Sequence, residues 1–213
     1  MKKTILMALL VSALLSGCRF GGGNDTTGTT TPSTEATQPS TQPSTQPTDG
    51  TQPSGGGQTE AAQLLTKIWE AFGEGERFAA YGGTVEHSVS DAPGDLDMSN
   101  TEELTTRYLL PEDQLSQVKE GASLVHMMNN NIFTGVVWKL SEGADIQTLS
   151  KAVRDNFRKT QWICGQPEHM LMADINGHLL MAYGAADVIA TFQGHMTEVL
   201  PEAKILANEA VTA

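Results

Sequence analysis

The dipeptide Asn176-Gly177 constrains the fold of this chain more than any other feature. Both residues tolerate the positive φ that a type I′ turn demands, so the flanking runs 169–175 and 178–183 are expected to form a two-residue hairpin. A turn of that length also sets the register, and strand side chains alternate between faces. Leu171, Ala173, Ile175, Leu180 and Ala182 then share one face, while Met170, Met172, Leu179, Met181 and Tyr183 share the other. Both faces are apolar, although a strand half-buried in a two-layer sandwich needs only one such face. Alanines let a helix approach closely, so the alanine face is expected to receive the helices. The other face needs a separate cover. One candidate is an N-terminal helix. The other is a partner protein or small apolar ligand seated on Met170, Met172, Met181 and Tyr183, because unbranched methionines and an amphipathic tyrosine suit an adaptable binding surface.

The remaining apolar patterns fill out an architecture. Residues 123–128 and 132–140 are β-branched, aromatic and alternating, and they flank the turn-forming Asn129-Asn130-Asn131, which predicts a second hairpin. Asp145 is placed to cap a helix with Ile146, Leu149, Val153 and Phe157 on one face and Lys151, Arg154, Asp155 and Arg158 on the other. Gly184 and Asp187 lead into a last helix with a Val188, Phe192, Met196 and Val199 stripe, ended by Pro201. Residues 60–72 carry the same three-and-four spacing and predict an N-terminal helix, stopped by Gly73 and Gly75. Hairpin, helix, hairpin and helix follow in order, and Gly143-Ala144-Asp145-Ile146 is echoed by Ala185-Ala186-Asp187-Val188. Two ββα units are implied. The economical packing is an α+β two-layer sandwich: a four-stranded, mainly antiparallel sheet with both helices on one face, plus the N-terminal helix. Between these parts, residues 78–103 read as an irregular acidic excursion, with short helices expected from Asn100 or Thr101 to Arg107 and from Pro111 to about Lys119.

The folded domain is expected over residues 59–213, because from Arg19 to Gln58 the only large apolar residue is Phe20 and no core can form. That stretch, 18–58 with Cys18, reads as a disordered tether rich in Thr, Ser, Pro and Gln. Thr37-Gln38-Pro39-Ser40 recurs at 41–44, degrades at 45–48 and returns at 51–54, a four-residue repeat favouring extended polyproline II and a reach of about 120 Å when drawn out. Ahead of it, Lys2 and Lys3, an apolar run from Ile5 to Leu15 and the small pair Ser16-Gly17 have the order of a secretion signal over residues 1–17. The apolar run is eleven residues, whereas a membrane span takes about 20.

Leu15-Ser16-Gly17-Cys18 resembles the lipobox of bacterial lipoproteins. The resemblance implies cleavage before Cys18, diacylglyceryl transfer to its thiol, and residence on the extracytoplasmic face of the cell membrane, with the membrane itself as partner through that lipid. Residues 133–138, 162–165, the Leu180 strand and the Phe192 helix resemble small domains on lipoproteins of anaerobic Gram-positive bacteria. That likeness implies a fold and an envelope address, and assigns no residue a role.

Chemistry is sparse. The formal charge of −12 becomes −14 once the two leader lysines are removed, and such a surface repels nucleic acid. With Cys18 committed to lipid, Cys164 has no intramolecular partner. It is expected to be buried and inert. His87, His126, His169, His178 and His195 lack the close spacing of a zinc site; His169 should oppose Gly184 and His178 should oppose Ile175, at opposite ends of their hairpin. Asp95-x-Asp97-x-Ser99 opens like a calcium loop, but Asn100 stands where the turn wants glycine and Thr106 where a bidentate glutamate should close it. No catalytic residue, metal or cofactor is expected. The leading expectation is a membrane-anchored, noncatalytic binding or adaptor module for an envelope protein or small apolar ligand. The alternative is a cell-envelope enzyme acting on wall or peptide substrates, for which the chain offers Cys164 and scattered acids.

Overall fold

The computed structural model describes residues 58–163 and 165–211. The leader, Cys18, the tether up to residue 57 and Cys164 lie outside the described residues. The elements run α1 (Glu60–Ala71), β1 (Ala80–Gly82), β2 (Val89–Ser90), β3 (Gly94–Asp95), α2 (Thr101–Thr106), a 3-10 turn (Glu112–Gln117), β4 (Val118–His126), β5 (Phe133–Leu140), α3 (Ile146–Lys159), β6 (His169–Ile175), β7 (His178–Gly184), α4 (Ala186–Val199) and β8 (Lys204–Ala210). The class is α+β. The four-stranded sheet of the sequence reading is corrected to eight antiparallel strands, ordered β2-β1-β4-β5-β7-β6-β8, with β3 beside β4.

Local chemistry sets the element ends. Thr59 caps α1 by accepting from the Ala62 amide, Asn100 caps α2 by accepting from Glu103, and Asp145 caps α3 by accepting from Gln147 and Thr148. Asn176 and Gly177 take φ of 51° and 83°, as the tight turn requires, and fix the register His169↔Gly184 through Ile175↔His178. Pro111 opens a 3-10 turn that stops at Gln117, because the chain enters β4 at Val118 rather than staying helical to Lys119. The excursion at 78–103 contains three short strands. β1 and β3 lie end to end along one edge of β4, and where they meet a Cβ on Gly82 would lie 2.2 Å from the Gly94 amide nitrogen, so only glycine fits.

The helices occupy both faces of the sheet, which corrects the two-layer arrangement. β5 and β7 are antiparallel neighbours. α3 carries the chain from β5 over β7 to β6, and α4 carries it from β7 over β6 to β8. Both crossovers therefore step the same way across the sheet from strands that point in opposite directions. The right-handed preference of such crossovers then sends the two helices to opposite faces.

Two cores result. α1 and α4 cover Leu171, Ala173, Leu180 and Ala182 together with Leu124 and Phe133. On the other side Leu149, Val153 and Phe157 of α3, with Leu104, Tyr108 and Leu110 below it in sequence, cover Val136, Trp138 and the methionine face. Met170 and Met181 are 0% exposed, Met172 1% and Tyr183 2%. These four residues are core, and the expectation of a binding face on them is corrected. Their cover is α3, not the N-terminal helix, which joins α4 on the alanine face.

Burial of this kind predicts a cost. Met172→Ala and Met181→Ala should each lower stability by about 2 to 5 kcal/mol in urea unfolding, whereas exposed methionines would leave the midpoint almost unmoved.

Candidate functional site

Strand register defines two poles. At one, Lys139 pairs with His178 and Asp174 with Lys204. At the other, Gly184 lies opposite both Phe133 and His169, and His169 opposite Ala210. The seven residues of β7 separate them by about 20 Å.

The first pole holds the start of α1. Lys139 Nζ lies 2.8 Å from Glu60 and 3.3 Å from Glu120, and His178 Nε2 lies 3.6 Å from Glu60. Hydrogen bonding and charge attraction from Lys139 hold the Glu60 carboxyl below its usual range. A shallow hollow of about 440 Å³ is lined by Glu60, Lys139 and His178 with Asp145 and Asp174. Lys139 and His178 face Glu60, Asp145 caps α3 and Asp174 accepts from the Gly177 amide, so the hollow seats the start of α1.

The second pole holds a deeper cleft of about 520 Å³ between the end of α3, the following loop and the end of β8. Phe157 and Trp162 line it. Behind these two rings lies the buried Tyr183, with centroids 5.2 Å apart for Phe157 and Trp162, and 5.3 Å for each of these with Tyr183. Burial pushes the Tyr183 phenol up to about 12, a hydrogen bond with Thr134 working the other way, so it stays neutral and cannot act as a base near neutral pH. The rim is charged. Arg154 grips Glu209 through both oxygens, with its Nε at 3.0 Å, and Arg158 adds contacts at 2.9 and 3.0 Å. The Arg154 hydrogen bond, then its charge and that of Arg158, holds the Glu209 carboxyl below its ordinary 4.5 against the opposing effect of burial. Beside the cleft the Asn131 amide donates to the Gly165 carbonyl, and Met128 and Ile163 are 81% and 93% exposed.

The structure brings none of the five histidines into a shared centre. His169 pairs with Asn208, His195 with Glu76, and His126 stacks on Phe78, while His178 sits at the first pole as its register required. Among the described residues no three or more His, Cys, Asp or Glu side chains converge on a metal position. Asp95 instead accepts from Thr59, and Asp97 from Ser99. The cleft residues went unnoticed in the sequence because Arg154 and Arg158 read as a solvated helix face. Glu209 belongs to a strand whose apolar alternation is too weak to announce itself. The available signal was the i,i+4 spacing of the two arginines, which puts both guanidinium groups on one side of α3.

No protein-family model, curated protein or solved structure matches this chain.

The pairing has a pH signature. A carboxyl with a lowered folded pKa contributes stability above its unfolded value and loses that contribution as pH falls through its folded value. Native protein should exceed Glu209→Gln by about 1 kcal/mol near neutrality, and the gap should close as the pH is taken well below 4.5. Urea midpoints across that range measure it; a gap that persists in acid would show that the pair is not its source.

Proposed function

We propose that this chain is a lipoprotein anchored through Cys18 to the extracytoplasmic face of the cell membrane, and that its domain is a noncatalytic binding or adaptor module. The anchor rests on the basic start, apolar run, small pair and cysteine in lipobox order. Two acyl chains hold a protein stably where one is marginal. Among the described residues no helix is long and apolar enough to cross a membrane.

The observation that carries the display role is the placing of entry and cleft. The chain enters the fold at Thr59 and Glu60, beside Lys139 and His178, while the aromatic cleft opens at the far end of the strands. A domain tethered at the first pole presents the second to whatever lies beyond the membrane. The cleft suits recognition: aromatic walls with a few polar groups at the rim are the usual composition of a binding site.

Cys18→Ala tests the anchor. The variant should take up no labelled palmitate and should remain unprocessed or leave the membrane fraction, whereas a variant that still incorporates lipid and sediments with membranes would refute the address.

A further inference from the structure

We propose that the free edge of β8 is a docking site for an extended peptide of a partner protein, one that carries an acidic side chain two residues from an apolar or aromatic one. The proposal rests on the binding-module reading and names the class of partner that the far pole would take. Among the described residues β8 pairs only with β6. The Val211 amide donates to the Glu168 carbonyl at 2.9 Å, and the register places His169 opposite Ala210. In an antiparallel ladder, residues alternate between pairs that exchange hydrogen bonds and pairs that do not. Residues 207 and 209 therefore spend their backbone groups on β6, and the Val211 amide points the same way, to Glu168. The N–H and C=O of Asn208 and Ala210 point outward, where an added strand would find them.

Charge selects the occupant. α3 carries Lys151, Arg154, Arg158 and Lys159, four of the ten Lys and Arg side chains among the described residues, in a chain of formal charge −12. Among the described residues only two acids form ion pairs with them. Asp155 is taken by Lys151 at 2.7 Å, and the single carboxylate of Glu209 serves both arginines. Two guanidinium charges thus meet one carboxylate beside the edge, with half of the Arg158 side chain in solvent. A strand laid against β8 would set one of its side chains next to Glu209 on the α3 face, where a carboxylate balances that excess. The side chain two residues along would sit next to Val211, at the wall of the cleft that Phe157 and Trp162 line. A second copy of this chain fits less well, because it brings its own arginines with its one Glu209 and leaves the excess in place.

The test uses the intact protein and fluorescein-labelled peptides of alternating threonine and valine with Glu-Thr-Phe, or the reverse order, at their centre. Anisotropy should show binding at least tenfold tighter than to the same peptides with Lys in place of Glu. Arg158→Glu should invert that preference. Ala210→Pro removes one outward N–H and no bond to β6, a placement proline tolerates on an edge strand, and should weaken binding at least tenfold while the melting temperature stays within a few degrees. N-methylating the probe at alternate residues removes the same hydrogen bonds from the other side, so the idea stays testable if that variant folds poorly. Equal binding of acidic and basic probes, indifference to N-methylation, or a dimer that Ala210→Pro dissociates would each overturn the proposal. Capture of an envelope protein that survives both substitutions would overturn the edge site and leave the binding-module reading intact.

Discussion

The antiparallel pairing of β5 with β7 is the constraint on which the rest of the molecule depends. Because these neighbours point in opposite directions and each feeds a crossover that skips one strand the same way, handedness places α3 and α4 on opposite faces. Both sides of the central strands must then be apolar, and they are: Leu180 and Ala182 pack towards α4 while Leu179, Met181 and Tyr183 pack towards α3. Each large side chain buried this way contributes about 1.5 to 3 kcal/mol relative to leaving it exposed. The methionines thus fill irregular space under a helix, a task for which three rotatable bonds suit them.

The same topology builds the cleft. β5 must be followed by a helix that returns to the far pole, so α3 ends where β6 begins, and the loop between them drops Trp162 onto Phe157 and Tyr183. α4 travels the other way on the other face, and β8 then runs back to the far pole and closes the cleft with Glu209 and Val211. Aromatic walls, a rim with two arginines and a strand edge unpaired among the described residues converge there as consequences of chain path. Glu60 and its partner Lys139 fasten α1 at the opposite pole, where the described residues begin.

Much of this was legible in the residues. The Asn176-Gly177 turn, its register, the Asp145 cap and all three long helices follow from turn chemistry and periodicity, which are local and strong. The apolar second face of β6 and β7 was legible too, but its cover was not, because the repeated ββα pattern suggested helices on the same side. Repetition in sequence does not fix handedness in space; strand direction does. β8 escaped notice since Lys204, Asn208 and Glu209 interrupt its alternation and its edge position leaves it largely exposed. β1, β2 and β3 are two or three residues each, too short for any period to appear. The cleft depends on contacts between residues 154 and 209, a separation over which sequence pattern carries no signal.

Amide hydrogen exchange, read residue by residue in solution, tests the central claim most directly. If the sheet is sealed on both faces and β8 is its free edge, the amides of β5, β6 and β7 should exchange only by global unfolding, at rates matching the stability measured in urea. On β8 the amides of Glu209 and Val211 should be protected, while those of Asn208 and Ala210 exchange quickly. Rapid exchange along β6 or β7, or uniform protection across residues 207–211, would contradict the account.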